Sequence, residues 1–126
     1  MFHLLLIGLG GFAGAVLRFL VSSAVQHRSG SIIYPFGTLA VNLIGCLLIG
    51  FLSALADNRA LLATEVRSFL ITGVLGGFTT FSSFGNETLN LIRAGRVELA
   101  ALNAGSQVLL GVVLVWVGRI MAGLGR

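Results

Sequence analysis

The residues best suited to chemistry form one run in the third apolar segment, where glycines are followed by hydroxyl and aromatic side chains: residues 73–84 read GVLGGFTTFSSF. A glycine costs about 1 kcal/mol relative to alanine inside a helix, and Ser and Thr hydroxyls compete for backbone hydrogen bonds. We therefore predict that a helix breaks within this run. In a membrane, such a break is tolerated only inside protein or beside a watery cavity, and the backbone groups that it frees often bind ions. The run is the predicted functional centre.

The composition indicates an integral membrane protein, because 56% of the 126 residues are hydrophobic and 10% are charged, whereas a soluble domain carries about 25% charged residues. Four apolar segments each approach the ~20 residues that a membrane-spanning helix needs. We predict an all-α fold with four transmembrane helices, the third broken at mid-membrane, in a single domain that covers residues 1–126. The predicted spans are about 4–25, 36–56, 68–92 and 99–121.

The charged residues and the possible ligands argue against nucleic-acid binding and against enzyme chemistry. The net charge of +4 comes entirely from arginines, which lie near the ends of apolar segments as interfacial anchors do. Cys46 is the single cysteine, and His3 and His27 are far apart, so there is neither an internal disulfide nor a metal-ligand spacing. We predict that the protein is not an enzyme, because the sequence has no nucleophile–base pair and no phosphate-binding loop.

The first apolar segment has two interpretations. Small residues at 13–15 could form a signal-peptide cleavage site, but no positive region precedes the segment and it is too long for a typical signal sequence. We therefore interpret it as a transmembrane helix. Gly10 and Gly14 form a GxxxG pair, which predicts that another helix approaches it closely.

The arginines outside the membrane give little preference for one orientation. With four spans, one side of the membrane carries four arginines and the other side three, a difference too small to fix the topology. A chain that inserts both ways can pair with an inverted copy of itself, which reproduces the inverted repeats of transporters. We predict an antiparallel, dual-topology homodimer. The four arginines are Arg59, Arg67, Arg119 and Arg126, and the three are Arg28, Arg93 and Arg96.

Two polar residues inside apolar segments each leave two interpretations open. Arg18 lies towards the end of the first span, where its side chain could extend to the headgroups or could face a watery mouth and attract anions. Asn42 in the second span could bond a neighbouring helix, or its amide N–H groups could face a pore and donate to a passing anion.

If a helix resumes after Thr80, Phe81 and Phe84 share one face, and Thr80, Ser83 and Glu87 share the adjoining stripe. The positive edges of aromatic rings and the hydroxyl donors can replace water around a small anion. Backbone carbonyls freed at the break could hold a cation, whose charge would favour anions. Together these features predict an anion pathway. Glu87 would repel anions unless it faces a helix partner or is protonated, and the sequence leaves both possibilities open.

The same residues carry a resemblance to a known family. Residues 76–84 (GGFTTFSSF), 11–18 (GFAGAVLR) and 37–42 (GTLAVN) resemble the signature of the Fluc (CrcB) fluoride channels, and the likeness extends in order over all four spans. The resemblance implies a multi-pass protein of the bacterial plasma (inner) membrane. It also implies a dual-topology homodimer with two antiparallel pores that passively export fluoride, and a structural Na⁺ at the dimer centre.

The resemblance also implies roles for individual residues. Phe81 and Phe84 match the paired phenylalanines of each pore, Asn42 the asparagine that contacts fluoride, and Arg18 the arginine near the pore mouth. The carbonyls of Gly76 and Thr79 match those that hold sodium, and Thr80 and Ser83 belong to the hydroxyl lining. The chain departs from the family pattern at Gly85, where another hydroxyl residue is expected. On the fourth span, where hydroxyl or similarly polar residues are expected at one-turn intervals, the stripe of Asn103, Gln107, Gly111 and Val115 begins polar and ends apolar.

Two other functions compete with a fluoride channel. A small four-helix, dual-topology multidrug-type exporter is similar in size, but proton-coupled export of cations would need a carboxylate in the membrane, and the first span offers Arg18 instead. An accessory subunit of a membrane complex would not need the broken third helix or the aromatic and hydroxyl residues beside it. The residues by themselves predict an anion pathway in an antiparallel dimer, and the resemblance adds fluoride.

Overall fold

The computed structural model describes residues 1–57 and 62–123, and over these residues the chain forms helices and short connections without any strand. Arg59 and Arg126, which entered the orientation count, lie outside the described residues. The all-helical prediction is confirmed. In chain order, the elements are α1 (Phe2–Ser29), α2 (Phe36–Asp57), α3 (Thr64–Arg67), a π-helical segment (Ser68–Leu75), α4 (Gly76–Phe78), α5 (Phe81–Arg93) and α6 (Val97–Met121).

Three of these helices are continuous and resemble transmembrane spans. By length and apolar composition, α1, α2 and α6 could each cross a membrane. Between α2 and α6 the chain makes a fourth, composite passage from α3 through the π-helical segment and α4 to α5. This passage packs on α1, α6 packs along α2, and α1 contacts α2. The order of the helices matches the predicted spans, and how they sit in a bilayer stays a prediction.

The composite passage breaks at two residues, Thr79 and Thr80, whose backbones are extended (φ −84°, ψ 158° and φ −150°, ψ 111°). The Thr79 N–H still donates to Leu75 O (3.1 Å) and closes the preceding turn. Thr80 is the N-cap of α5, because its Oγ1 accepts a hydrogen bond from the Ser83 N–H (3.2 Å). The predicted break is therefore present, and it lies within the predicted run of residues 73–84.

The glycines of the run do not form the break, which corrects their interpretation as helix breakers. Gly73, Gly76 and Gly77 are all helical, and two of them allow α1 to approach. A Cβ atom on Gly77 would overlap the carbonyl oxygen of Gly11, and one on Gly73 would press against the backbone of Gly10. Small residues let two helix backbones approach closely in a membrane protein.

The GxxxG pair on α1 takes part in the same contact, as predicted. Gly10 and Gly14 are buried, and Cβ atoms there would overlap the carbonyl oxygens of Phe69 and Val74. Across the bundle, Gly50 and Gly118 bring α2 and α6 together in the same way. Close helix packing therefore depends on glycines in both helix pairs.

The connection between α1 and α2 is shorter than the predicted loop, which began at Gln26. The helix α1 continues to Ser29 and ends at Gly30, whose φ of 65° favours glycine. The Gln26 side chain spans the connection: Nε2 donates to Ser31 O (2.5 Å) and Tyr34 O (3.1 Å), and Oε1 accepts from the Gly37 N–H (2.9 Å). These bonds satisfy backbone groups in the connection and at the start of α2. The polar residues from Gln26 to Ser29 belong to α1 and not to the connection.

Candidate functional site

The break is stabilised by the side chain of Asn42 on α2. Asn42 Oδ1 accepts a hydrogen bond from the Thr80 N–H (2.8 Å), and Asn42 Nδ2 donates to Thr80 O (3.1 Å). In a continuous helix the Thr80 N–H would bond the carbonyl of Gly76, four residues earlier. The exchange of partner therefore frees the Gly76 carbonyl.

The remaining N–H of Asn42 is also occupied. Asn42 Nδ2 donates to Gln107 Oε1 (2.7 Å) on α6, so both amide hydrogens are directed at protein acceptors. Of the two interpretations of Asn42, the bond to a neighbouring helix is the one that the structure contains. A direct contact with an anion stays a prediction, and it requires Asn42 to exchange one of these acceptors.

Phe81 and Phe84 lie on one face of α5, with ring centroids 5.4 Å apart and ring planes at 53°. Both line a groove of about 420 Å³, which we call the aromatic groove. The polar part of its lining comes from Asn42, Gln107 and the break itself. Phe81 is 82% exposed, so the groove opens on the surface of the single chain.

A second cavity, of about 320 Å³, lies on the α1 side of the break, and we call it the Arg18 cavity. Arg18 lines it, and its Nη1 donates to Thr79 O (3.4 Å). The side chain thus turns inwards to the break, which supports the watery-mouth interpretation over extension to the headgroups. The predicted hydroxyl and carboxyl stripe of α5 also lines this cavity, through Thr80, Ser83 and Glu87.

The hydrogen bonds between Thr80 and Ser83 leave the Ser83 hydroxyl proton available to a ligand. Thr80 Oγ1 donates to Ser83 Oγ (3.0 Å) while it accepts the Ser83 N–H. Because Ser83 Oγ acts as an acceptor in this pair, its own proton is available to the cavity. Ser83 and Arg18 therefore supply a neutral and a charged donor to the same space.

Glu87 has a helix partner, which is one of the two possibilities left open for it. Thr38 Oγ1 on α2 donates to Glu87 Oε1 (2.7 Å), while Oε2 is enclosed without a partner among the described residues. Thr38, Glu87 and Ser22 line both the Arg18 cavity and an outer cavity of about 730 Å³ beside the α1–α2 connection. A polar route therefore leads from that connection towards the break.

The structure divides the predicted site residues between two spaces. Phe81, Phe84 and Asn42 line the aromatic groove, Arg18 and Ser83 line the Arg18 cavity, and Thr80 lines both. The break thus separates an aromatic side from a charged side. Gln107 lines the aromatic groove and Thr38 lines the Arg18 cavity, but neither was among the predicted site residues. The sequence feature that could have indicated them is a polar side chain within an apolar segment.

The carbonyls of Gly76 and Thr79 fit the role of cation ligands. Both residues line the aromatic groove, and the Gly76 carbonyl has lost its helical partner. Thr79 O accepts one hydrogen bond, from Arg18, and a carbonyl oxygen has two lone pairs. Two carbonyls supply only part of the oxygen shell of a hard cation, so one chain offers half a site or less.

The helices are long and apolar enough to span a membrane, and they pack through glycines around a break lined by polar and aromatic groups. These features define a multi-pass membrane protein. Residues 5–119 match the family model described as CrcB-like protein, Camphor Resistance (CrcB). The chain belongs to this family. Its bacterial relatives and apolar helices make it a multi-pass bacterial membrane protein.

Individual relatives agree over nearly the whole chain. A protein of Methylobacillus flagellatus is 44% identical over 118 residues, which cover 94% of this chain and 92% of the relative. A protein of Chlorobium phaeobacteroides is 44% identical over 121 residues (96% and 93%), and one of Opitutus terrae is 46% identical over 120 residues (94% and 90%). All three relatives are named Fluoride-specific ion channel FluC.

Proposed function

We propose that the protein is a fluoride-selective channel that lets cytoplasmic fluoride leave the cell passively and so lowers fluoride toxicity. The observation that carries the proposal is the break at Thr79–Thr80, with the aromatic groove on one side and the Arg18 cavity on the other. It occurs in a chain whose relatives are named as fluoride-specific channels. Like those relatives, the protein is a channel and not an enzyme.

The chemistry of the two spaces supports an anion as the permeating species. Arg18 places a positive charge beside the break, and Ser83 offers a hydroxyl proton to the same cavity. On the other side, the edges of Phe81 and Phe84 carry partial positive charge. A small, strongly hydrated anion that leaves water needs such donors in succession. The carboxyl group of Glu87 lines the same cavity as Arg18, and one of its oxygens accepts a hydrogen bond from Thr38.

The exposure of the aromatic groove supports an antiparallel homodimer. Phe81 is 82% exposed, and the groove that it lines is open along the chain surface. The lining of the groove is mainly apolar but includes polar groups of Asn42, Gln107 and the break, and polar groups of a broken backbone at the depth of the hydrocarbon need a protein cover. A second, inverted copy would close both grooves and yield two antiparallel pores, and the near balance of arginines permits both orientations.

We also propose a structural Na⁺ at the dimer interface, which the two carbonyls beside the break support. Gly76 and Thr79 of both copies would hold it through their carbonyl oxygens. When bound, the ion supplies a fixed positive charge near the pores. The chain's own contribution is the break, which Asn42 keeps open by holding the backbone of Thr80.

The direct test is anion efflux from liposomes that contain the purified protein. Fluoride-selective and chloride-selective electrodes record release, and valinomycin lets potassium balance the charge. We expect fast fluoride release without chloride release, and slower release when Na⁺ is replaced by N-methylglucamine during purification. Absence of fluoride release from dimeric, folded protein would overturn the homodimeric channel.

A further inference from the structure

We propose that Thr88 and Asn103, which lie outside the three cavities described above, are positioning residues for the pore. They fix the first turn of α5, which carries Phe81 and Phe84, relative to the amide of Asn42. The inference rests on the proposed channel function and deepens it, because it assigns a role in the channel to residues outside the three cavities.

A continuous series of side-chain hydrogen bonds joins these residues to the break. Thr88 Oγ1 donates to Phe84 O (2.7 Å) and accepts from Asn103 Nδ2 (2.9 Å). Asn103 Oδ1 accepts from Gln107 Nε2 (3.3 Å), and Gln107 Oε1 accepts from Asn42 Nδ2 (2.7 Å). The series thus runs from α5 through α6 to α2.

The series returns to α5 at Thr80, about two turns before Thr88, where it starts. Asn42 holds both backbone groups of Thr80, the N-cap of α5, and Thr88 bonds the carbonyl of Phe84. The aromatic pair therefore lies between two anchored points, one held from α2 and the other from α6. Both anchors hydrogen-bond to backbone groups, so they act on the position of the backbone that carries the rings.

Each amide in the series takes its direction from its neighbour. The Thr88 hydroxyl gives its proton to Phe84 O, so towards Asn103 it is an acceptor, and Asn103 must present its NH₂ group there. The Asn103 oxygen then faces Gln107, whose oxygen in turn faces Asn42. Asn42 is left with its oxygen towards the Thr80 N–H. The direction of the series is thus set at both ends, by the Thr88 hydroxyl at one end and by the Thr80 N–H, which can only donate, at the other.

Because Asn103 is buried, the order of the hydrogen bonds in the series depends on the hydroxyl oxygen of Thr88. Asn103 is 0% exposed, so water cannot replace the Thr88 hydroxyl as the acceptor for its NH₂ group. A buried donor that loses its partner bears the full desolvation cost, and the amide turns to find another acceptor. If Asn103 turns, Gln107 and Asn42 lose the order that now fits the Thr80 backbone.

The test compares Thr88→Val, which has nearly the same shape without the hydroxyl, with Thr88→Ser, which keeps it. Fluoride efflux is measured per folded dimer in liposomes. In parallel, 4-fluorophenylalanine placed at position 84 of the full chain reports the ring environment by ¹⁹F NMR. We expect Thr88→Val to lower efflux about tenfold and to shift or broaden the ¹⁹F signal, and Thr88→Ser to match the parent in both.

The two readouts separate this inference from the proposed function. If the parent chain releases no fluoride, the channel proposal fails, and the ¹⁹F comparison still decides whether Thr88 positions the ring. The inference is overturned if Thr88→Val leaves the ¹⁹F signal and the efflux per folded dimer unchanged while lowering only the yield of folded protein. An equal change in Thr88→Ser would overturn it as well, because the hydroxyl would not be the cause.

Discussion

Asn42 pairs with Thr80 as a neighbouring strand would, taking its N–H at 2.8 Å and giving an N–H to its carbonyl at 3.1 Å. Thr80 is 9% exposed, so little of the residue is open to water that could replace these bonds. One side chain of α2 therefore satisfies both backbone groups of a residue at the break. The break is a built feature of the fold and not a local failure of helix propensity.

Replacing Asn42 with leucine tests this relationship. Asn42→Leu leaves the buried N–H and C=O of Thr80 without partners, at about 1–3 kcal/mol for each group. We expect the free energy of unfolding in detergent to fall by ~3 kcal/mol, measured by chemical denaturation. The matched control is Asn90→Leu at an exposed position of α5, for which the expected change stays within about 0.5 kcal/mol. Equal effects of the two substitutions would contradict the importance of the Thr80 pairing.

Removing one aromatic ring tests the aromatic groove. Phe81→Ile keeps an apolar side chain of moderate size but removes the ring edge that faces the groove. We expect fluoride efflux to fall by at least about tenfold, equivalent to ~1.4 kcal/mol of barrier, while the dimer still forms. Phe12→Ile on α1 is the control, because Phe12 is similarly exposed (73%) and lines none of the three cavities. Parent-like efflux in Phe81→Ile would exclude the ring from the pathway.

The close contact between α1 and the composite passage can be tested with a single methyl group. In Gly14→Ala the new Cβ overlaps the Val74 carbonyl, and the overpacking should cost about 1–3 kcal/mol of stability. In Gly8→Ala, six residues away on the same helix, the new Cβ meets no atom within 4 Å, so the change should be neutral or slightly stabilising. Thermal melts of both variants in detergent make the comparison. A stable Gly14→Ala protein would show that the helices can separate at no cost.

Neutralising the charge beside the break tests the anion preference. Arg18→Gln keeps a donor for Thr79 O but removes the positive charge from the Arg18 cavity, so we expect about tenfold slower fluoride efflux and a weaker dependence on ionic strength. Arg28→Gln, at the exposed end of α1, is the control and should change efflux less than about twofold. A larger loss in the control than in Arg18→Gln would place the decisive charge outside the cavity.

Local signals predicted the position of the break and the aromatic pair. The hydroxyl pair at 79–80 and the three-residue spacing of Phe81 and Phe84 are properties of a short stretch, and a helix that restarts after Thr80 fixes their faces. The glycines gave the same local signal but have another cause. They contact α1, about sixty residues earlier in the chain. The sequence of one segment alone does not show whether its glycines break the helix or let another helix pack closely.

The polar partners in the site could not be predicted because they come from distant segments. Asn42 and Gln107 are 65 residues apart, and Arg18 and Thr79 are 61 apart. Each polar residue in an apolar segment needs a partner, but its identity depends on how the helices pack. For that reason the sequence left two interpretations of Arg18 and of Asn42. The structure supplies a protein partner for each side chain, and contact with an anion stays a prediction.

The most direct measurement is the reversal potential of the purified protein in a planar bilayer. The two chambers hold equal chloride and a tenfold difference in fluoride, and an impermeant anion balances the charge. A fluoride-selective channel would reverse near the fluoride equilibrium potential, about 59 mV from zero for a monovalent ion. A reversal near zero, where chloride is at equilibrium, would contradict fluoride selectivity, and the absence of any current from folded protein would contradict the channel itself.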